Sequence, residues 1–298
     1  MYELSLVFLT YNARPGDVRE SLESVICQKD VELEIVIADD GSKDNLKATI
    51  EAFFEEKGFT DYKLVLNPQN AGTVANLLSG LEAAEGEYTK TLSPGDRLYT
   101  DYTMRKWLDF MRERDLSWSF SDAVYYHKDG QGADAVFSGD AAPQDLTPYI
   151  RENKNRCRWN YAVLGDIPVG ATILSKTELQ TSYCRRIREA GVKYAEDNMW
   201  RLMMFEGITG AYYPEQTIMY ECGSGISASV SDVWKMRIAD DWNTVNDMMR
   251  GIKEPDRLQQ TMLKGIREDC GIFRKLFLKG KLKLKLKRRF RKRMTRCK

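Results

Sequence analysis

Two adjacent carboxylates, Asp39 and Asp40, close the apolar run Ile35-Val36-Ile37-Ala38 and are followed by Gly41 and Ser42. A β-branched run of this kind reads as a buried parallel strand that delivers both acids to its carboxyl end, the edge where open α/β sheets bind ligands. The glycine lets the chain turn sharply beside whatever the acids hold. A plainer reading keeps Asp40 or Ser42 as the cap of a helix starting near Asp44. A second acidic pair, Glu196 and Asp197, opens a helical pattern over 195–206. A carboxylate there can take a proton from a hydroxyl, and the helix amides favour an anion. Its plainer reading is an ion pair between Asp197 and Arg201, four residues on. A third acid, Asp96, ends the short loop Ser93-Pro94-Gly95-Asp96. Its plain reading is the cap of the next helix.

The elements that must carry these acids alternate. Strand patterns at Leu4–Leu9, Leu33–Ile37, Tyr62–Leu66 and Tyr88–Leu92 are separated by helical patterns at 16–28, 44–56 and 73–84. This rhythm predicts a doubly wound, mostly parallel, Rossmann-like sheet with right-handed crossovers. No GxGxxG follows the first strand, which disfavours a dinucleotide-dependent dehydrogenase. Beyond residue 100 the spacing predicts a strand over 118–127, a polar loop over 128–160 and a glycine-interrupted strand over 167–174. Helices follow at 176–188 and 195–206, then a strand over 210–220 and helices at 231–250 and 254–278.

The 298 residues carry a net charge of +1, which hides an asymmetry. Residues 281–298 hold eleven Lys and Arg and no acid; the other 34 basic residues face 44 acids, so residues 1–280 stand at −10. The body is thus a poor partner for nucleic acid. The tail, with Leu and Phe between its basic residues, suits an anionic membrane surface, or is simply solvated. Six scattered cysteines and one histidine, His127, give no zinc spacing. With no apolar stretch of about 18 residues and no basic-then-apolar start, the expectation is a reduced, cytoplasmic protein, peripheral on the inner face of the membrane.

Four stretches in order resemble the family 2 glycosyltransferases, inverting nucleotide-sugar enzymes of GT-A fold. They are Leu6–Asn12, Ile35–Ser42, Asn70-Ala71-Gly72 with Asn76 and Ala84–Tyr88, and Tyr194–Asp197 with Arg201 and Gly207. The resemblance covers roughly residues 4–228. It implies a GT-A domain over 1–228, with a nucleotide-binding half over 1–100 and an acceptor half over 101–228. C-terminal helices over 229–280 and the basic tail over 281–298 would follow.

The resemblance also implies roles. Thr10, Tyr11, Asn12, Asp39, Asp40, Gly72 and Asn76 would bind the nucleotide, with Asp40 accepting from a uracil N3–H. Asp197 would be the base and Glu196 its deputy. Gly170, Ala171 and Trp200 would face the sugar or acceptor, as Trp159 and Tyr161 could, and Gly223–Ser227 would close over the diphosphate. Asp96 would hold Mg2+ or Mn2+. The chain departs from the family at this loop. Aspartates usual there fall on Ser93 and Gly95, and an arginine common in the family falls on Ala75. The expected activity is transfer from a nucleotide-diphosphate sugar, expected to be UDP-linked, to a glycan or lipid-linked acceptor in surface polysaccharide synthesis. Two rivals stand: a binding module that has lost its metal acids, and a nucleotidyltransferase, for which the loop after the first strand offers only Arg14.

Overall fold

The computed structural model describes residues 2–128, 134–137, 143–221 and 231–267. The first strand, β1 (Leu4–Thr10), is buried along its whole length, as is β2 (Leu33–Asp39). Together with β3 (Tyr62–Leu66) and β4 (Tyr88–Leu92) they form a parallel run in the order β3-β2-β1-β4. The helices α1 (Pro15–Ile26), α2 (Lys47–Lys57) and α3 (Thr73–Ala83) make the crossovers.

Period-two alternation along β1 and β2 splits the core in two. Leu4, Leu6, Phe8, Ile35 and Ile37 pack with α1, α2 and α4 (Thr103–Glu113) on one face. Val7, Leu9, Val36 and Ala38 pack with α3 on the other. Both faces are covered, so the sheet is doubly wound, as its sequence predicts. Helix α4 is an element that sequence reading missed. Its Met104, Trp107, Leu108 and Met111 are fully buried at helical spacing, but Arg105, Lys106 and Arg112 interleave with them.

The second half is mixed. After the two-residue β5 (Arg97–Leu98) come β6 (Trp118–Lys128) and β7 (Asp134–Phe137). The polar stretch after residue 128, expected to be a loop, also contains α5 (Thr147–Ile150) and α6 (Lys154–Ala162). Helix α6 escaped notice because its polar residues are not solvated. Arg158 is buried and donates to the carbonyls of Met204 and Phe205, at 3.0 and 2.7 Å. Those carbonyls close α8 (Asn198–Glu206), so α6 caps the helix that starts beside the acidic pair. The strand expected over 167–174 is shorter. Residues Gly170–Thr172 form a 3-10 turn, and β8 runs only over Ile173–Lys176.

The helix α7 (Thr177–Glu189), the strand β9 (Ala211–Glu221) and the helices α9 (Asp232–Arg250) and α10 (Arg257–Arg267) complete the described elements. The full strand order is β3-β2-β1-β4-β8-β6-β9-β5, with β7 on β6. Strand β8 is antiparallel to β4 and β6, while β9 runs parallel to β6. Residues 222–230, with Gly223–Ser227, and the tail 281–298 lie outside the described residues, as does the His127 side chain. Among the described residues no helix is long and apolar enough to cross a membrane.

Candidate functional site

The carboxyl ends of β1, β2 and β4 open into a cavity of about 1310 Å³. Its far wall is built by the 3-10 turn, the start of α8 and the first half of α9. Typical small-molecule pockets hold about 300–1,000 Å³. The space is therefore large enough for more than one ligand group.

The twin acids of β2 do different things. Asp39 turns inward: it accepts from Thr10 Oγ1 at 2.9 Å, the Ser42 amide at 2.8 Å and Ser42 Oγ at 2.6 Å. Ser42 Oγ in turn accepts from the Asn12 amide at 2.7 Å, and Asn12 Oδ1 accepts from the Lys43 amide at 3.1 Å. Asp39, Thr10, Asn12 and Ser42 thus lock two loops together, and Asp39 is not among the cavity-lining residues. Asp40 lines the cavity and accepts from the amides of Ala71 and Gly72, at 2.8 and 3.0 Å. Burial raises its pKa, and those two amides oppose the rise. Neither Asp40 nor Ser42 caps α2, whose N-cap is Leu46. Tyr11, half-exposed, stands at the rim.

Gly72 has φ +95°, and a Cβ there would lie 2.6 Å from the Lys193 carbonyl. Only glycine lets the start of α3 approach the segment that precedes Glu196 so closely. Asn76 touches the cavity, but its amide is engaged within the protein. It donates to the Ala38 carbonyl at 2.9 Å and accepts from Asn67 at 2.9 Å.

Asp96 is buried at the end of the shortened loop and does not cap α4, whose N-cap is Tyr102. Its Oδ1 accepts the Glu221 amide at 3.1 Å. Burial pushes its pKa up to about 7, against the Glu221 amide and the Lys90 ammonium. Glu221, the last residue of β9, was not found by sequence reading. Gly95 has φ +99°, and a Cβ built on it would meet Glu221 Oε2 at 2.5 Å. The Glu221 carboxylate thus stands where a side chain at position 95 would start. Position 95 is where the resemblance expects an aspartate, so one acid of the loop is replaced in space by an acid from another strand. No sequence signal marks it, because 125 positions separate Asp96 from Glu221.

Across the cavity, Glu196 and Asp197 lie at the start of α8, where Asp197 is the N-cap. Burial raises both carboxyl pKa values, and their mutual charge raises Glu196 further. Asp197 Oδ1 is buried without a hydrogen-bond partner, and Gly170 faces it, a Cβ there falling 2.8 Å from that oxygen. The surface ion pair with Arg201 does not form. Arg201 is buried and donates to the Ala162 carbonyl at 2.9 Å and to Asn246 Oδ1 at 2.6 Å.

Helix α9 supplies a brace that sequence reading did not single out. Asp241 accepts from three successive amides, Lys193, Tyr194 and Ala195, at 3.1, 2.7 and 2.9 Å. Of the aromatic candidates, Trp200 reaches the cavity wall from the core, its ring 5.2 Å from that of Trp118. Tyr161 is fully buried, and neither it nor Trp159 lines the cavity. Ala171 does, and its carbonyl accepts from the buried Lys90 ammonium.

Among the described residues no three His, Cys, Asp or Glu side chains form a metal-binding group. The carboxylates that meet at this loop are those of Asp96 and Glu221. Hard cations such as Mg2+ commonly take one or two carboxylates and complete the shell with phosphate and water, so this pair fits one.

A doubly wound sheet with acids at its strand ends, a second acidic pair across a cavity and a covered second half define a GT-A glycosyltransferase domain. Residues 5–138 match the model of Glycosyl transferase family 2. An uncharacterized glycosyltransferase of Escherichia coli K12, YibD, is 34% identical over 97 residues, 33% of this chain and 27% of the relative. One from Rickettsia felis is 28% identical over 146 residues, 48% of this chain and 23% of the relative. The matched stretches thus span about a quarter of those relatives. Among solved structures, Staphylococcus aureus TarS 1–349 in complex with UDP has TM-score 0.58 at 17% identity, covering 89% of this chain and 70% of that one. The mannosyltransferase PcManGT of Pyrobaculum calidifontis, in complex with GDP-Man and Mn2+, has TM-score 0.57 at 15% identity, covering 89% and 68%. These likenesses show a shared fold.

Proposed function

We propose that the chain transfers a sugar from a nucleotide diphosphate, UDP-linked as in the TarS complexes, to a hydroxyl of a glycan or lipid-linked acceptor with inversion. The observation that carries the reading is Asp197, a cavity-lining residue whose Oδ1 lies buried against Gly170 without a hydrogen-bond partner. Such an oxygen is ready to accept a proton from an acceptor hydroxyl.

In the proposed step the acceptor oxygen attacks the anomeric carbon from the side opposite the diphosphate. The new C–O bond forms as the bond to the β-phosphate oxygen breaks. The electron pair leaves with the nucleoside diphosphate, and the hydroxyl proton passes to Asp197. Asp40 and the Thr10–Asn12 turn receive the base and ribose. Gly170 leaves room for the sugar beside Asp197.

The cavity wall carries six acids, Asp17, Asp40, Asp96, Glu196, Asp197 and Glu221, against two basic residues, Arg14 and Arg237. A doubly charged diphosphate enters such a field only with a counter-charge. Asp96 and Glu221 would hold a divalent cation, which when bound neutralises the leaving group.

Calorimetric titration of UDP with and without Mn2+, on wild type and on Asp96→Ala, tests this. Binding that requires both metal and Asp96 is the expected result. Metal-independent binding indifferent to Asp96 would favour a sugar-nucleotide-binding module whose loop lost the acids at Ser93 and Gly95. Absence of UDP binding under both conditions would overturn the donor.

A further inference from the structure

The first half of α9 presents a second polar feature to the cavity. Arg237 lies with its guanidinium carbon 5.5 Å from the centre of the Tyr194 ring and 4.8 Å from that of Trp234. The two rings meet edge to face at 4.9 Å, with an 88° angle between them. Trp234, Arg237, Ile238 and Trp242 all line the cavity, at the i, i+3, i+4 and i+8 positions of one helix face. Tyr194 belongs to the segment that Asp241 pins, two residues before Glu196.

Arg237 differs from the other cation of the cavity wall. Arg14 is paired with Asp17 at 2.6 Å. Arg237 is exposed and has no carboxylate partner among the described residues, although six acids line the same cavity. Stacking between two rings holds the guanidinium plane and leaves its N–H edge unused. A planar guanidinium fixed in this way suits an oxyanion, bound through two parallel N–H donors. The half-buried indoles of Trp234 and Trp242 line the cavity on the same helix face. Arg237 covers one face of Trp234 and Arg201, 4.4 Å from the ring centre, one face of Trp242. The opposite faces suit the C–H face of a sugar ring.

We propose that Tyr194, Trp234, Arg237 and Trp242 form an acceptor subsite for a sugar unit bearing a phosphate group. The inference rests on the glycosyltransferase reading and names the acceptor class for the same cavity. Placement separates this phosphate from the donor's. Arg237 packs on Tyr194, two residues before Glu196, whereas the donor diphosphate is assigned to Asp96 and Glu221, at the loop after β4 and the end of β9. The anionic acceptor would thus be drawn to the one unpaired guanidinium of the wall among the described residues, which packs on Tyr194, three residues before Asp197.

The test uses the full chain saturated with UDP and Mn2+. Glucose 1-phosphate, glucose and inorganic phosphate are each titrated, with tryptophan fluorescence and ligand-observed NMR as readouts. Glucose 1-phosphate is expected to bind without displacing UDP, at least tenfold more tightly than glucose. Arg237→Gln is expected to weaken it at least tenfold, Arg237→Lys less, while UDP affinity stays within twofold. Arg237 is exposed, and unchanged circular dichroism and thermal midpoint of both variants verify folding.

Competition between glucose 1-phosphate and UDP, or an equal loss of UDP affinity in Arg237→Gln, would assign the guanidinium to the donor and overturn the subsite. Equal binding of glucose and glucose 1-phosphate would overturn the anionic class. Inorganic phosphate binding as tightly as glucose 1-phosphate would overturn the sugar-stacking part. A wild type that binds no UDP would instead overturn the donor reading, a result separable from each of these.

Discussion

Asp197 and Glu196 show how a carboxylate becomes useful at neutral pH. Burial raises both, and the charge of Asp197 raises Glu196 further. A base works only when unprotonated, so activity is expected to rise with pH through the folded pKa of Asp197 and to fall as pH drops below it. Because that pKa is raised, the acid limb of the kcat/KM profile is expected well above the ordinary aspartate value of about 3.9. Asp197→Asn is expected to lower kcat by about 10²–10⁴ while leaving UDP affinity unchanged; steady-state rates and titration separate the two. Full turnover by that variant would remove Asp197 from the role. At this scale the sequence was partly readable. It presented Asp39 and Asp40 as equivalent neighbours, and only strand pleating decides that Asp39 ties loops while Asp40 lines the cavity.

Elements were legible where an apolar period was uninterrupted. Strands β1–β4 and helices α1 and α3 lie close to the spans their patterns predict, because burial on both sheet faces demands continuous apolar runs. Helix α4 went unread although Met104, Trp107, Leu108 and Met111 keep a helical spacing, and α6 was hidden by a charged residue that packs rather than faces water, Arg158. The same limit hid the parts of the site that come from far along the chain. Glu221 fills the space at Gly95, and Asp241 holds residues 193–195; neither contact leaves a local pattern. The brace makes two predictions. Asp241→Ala leaves three amides without their carboxylate and is expected to destabilise the fold by roughly 2–4 kcal/mol, read by urea denaturation. Gly72→Ala places a methyl against the Lys193 carbonyl at φ +95° and is expected to cost about 1–3 kcal/mol. Both variants loosen the segment that presents Glu196 and Asp197, so kcat is expected to fall further than UDP affinity in each. Wild-type stability in either variant would show that the α3–α9 clamp on this segment is not what holds it.

The whole molecule is an electrostatic contrast: residues 1–280 carry a net charge of −10, and residues 281–298 carry eleven basic side chains. An acidic body is repelled by an anionic bilayer, so attachment to one must come from the tail. We propose that the tail places the chain on the cytoplasmic face of the membrane, where a lipid-linked acceptor would lie. Each Lys or Arg near such a surface contributes about 1 kcal/mol, and the Leu residues at 282, 284 and 286 and Phe290 add apolar contact. Co-sedimentation with vesicles containing phosphatidylglycerol is expected at low ionic strength, and little with neutral phosphatidylcholine vesicles. Raising salt from about 0.1 to 1 M shortens the screening length from about 10 to 3 Å, so most of the bound protein is expected to be released. Deleting 281–298 is expected to abolish co-sedimentation without altering UDP affinity, since the described cavity lining lies within residues 9–242. Unchanged vesicle binding after the deletion would move the attachment to the body, against its charge. The exposed Val233 and Met236 at the start of α9 would then be the surface to substitute next.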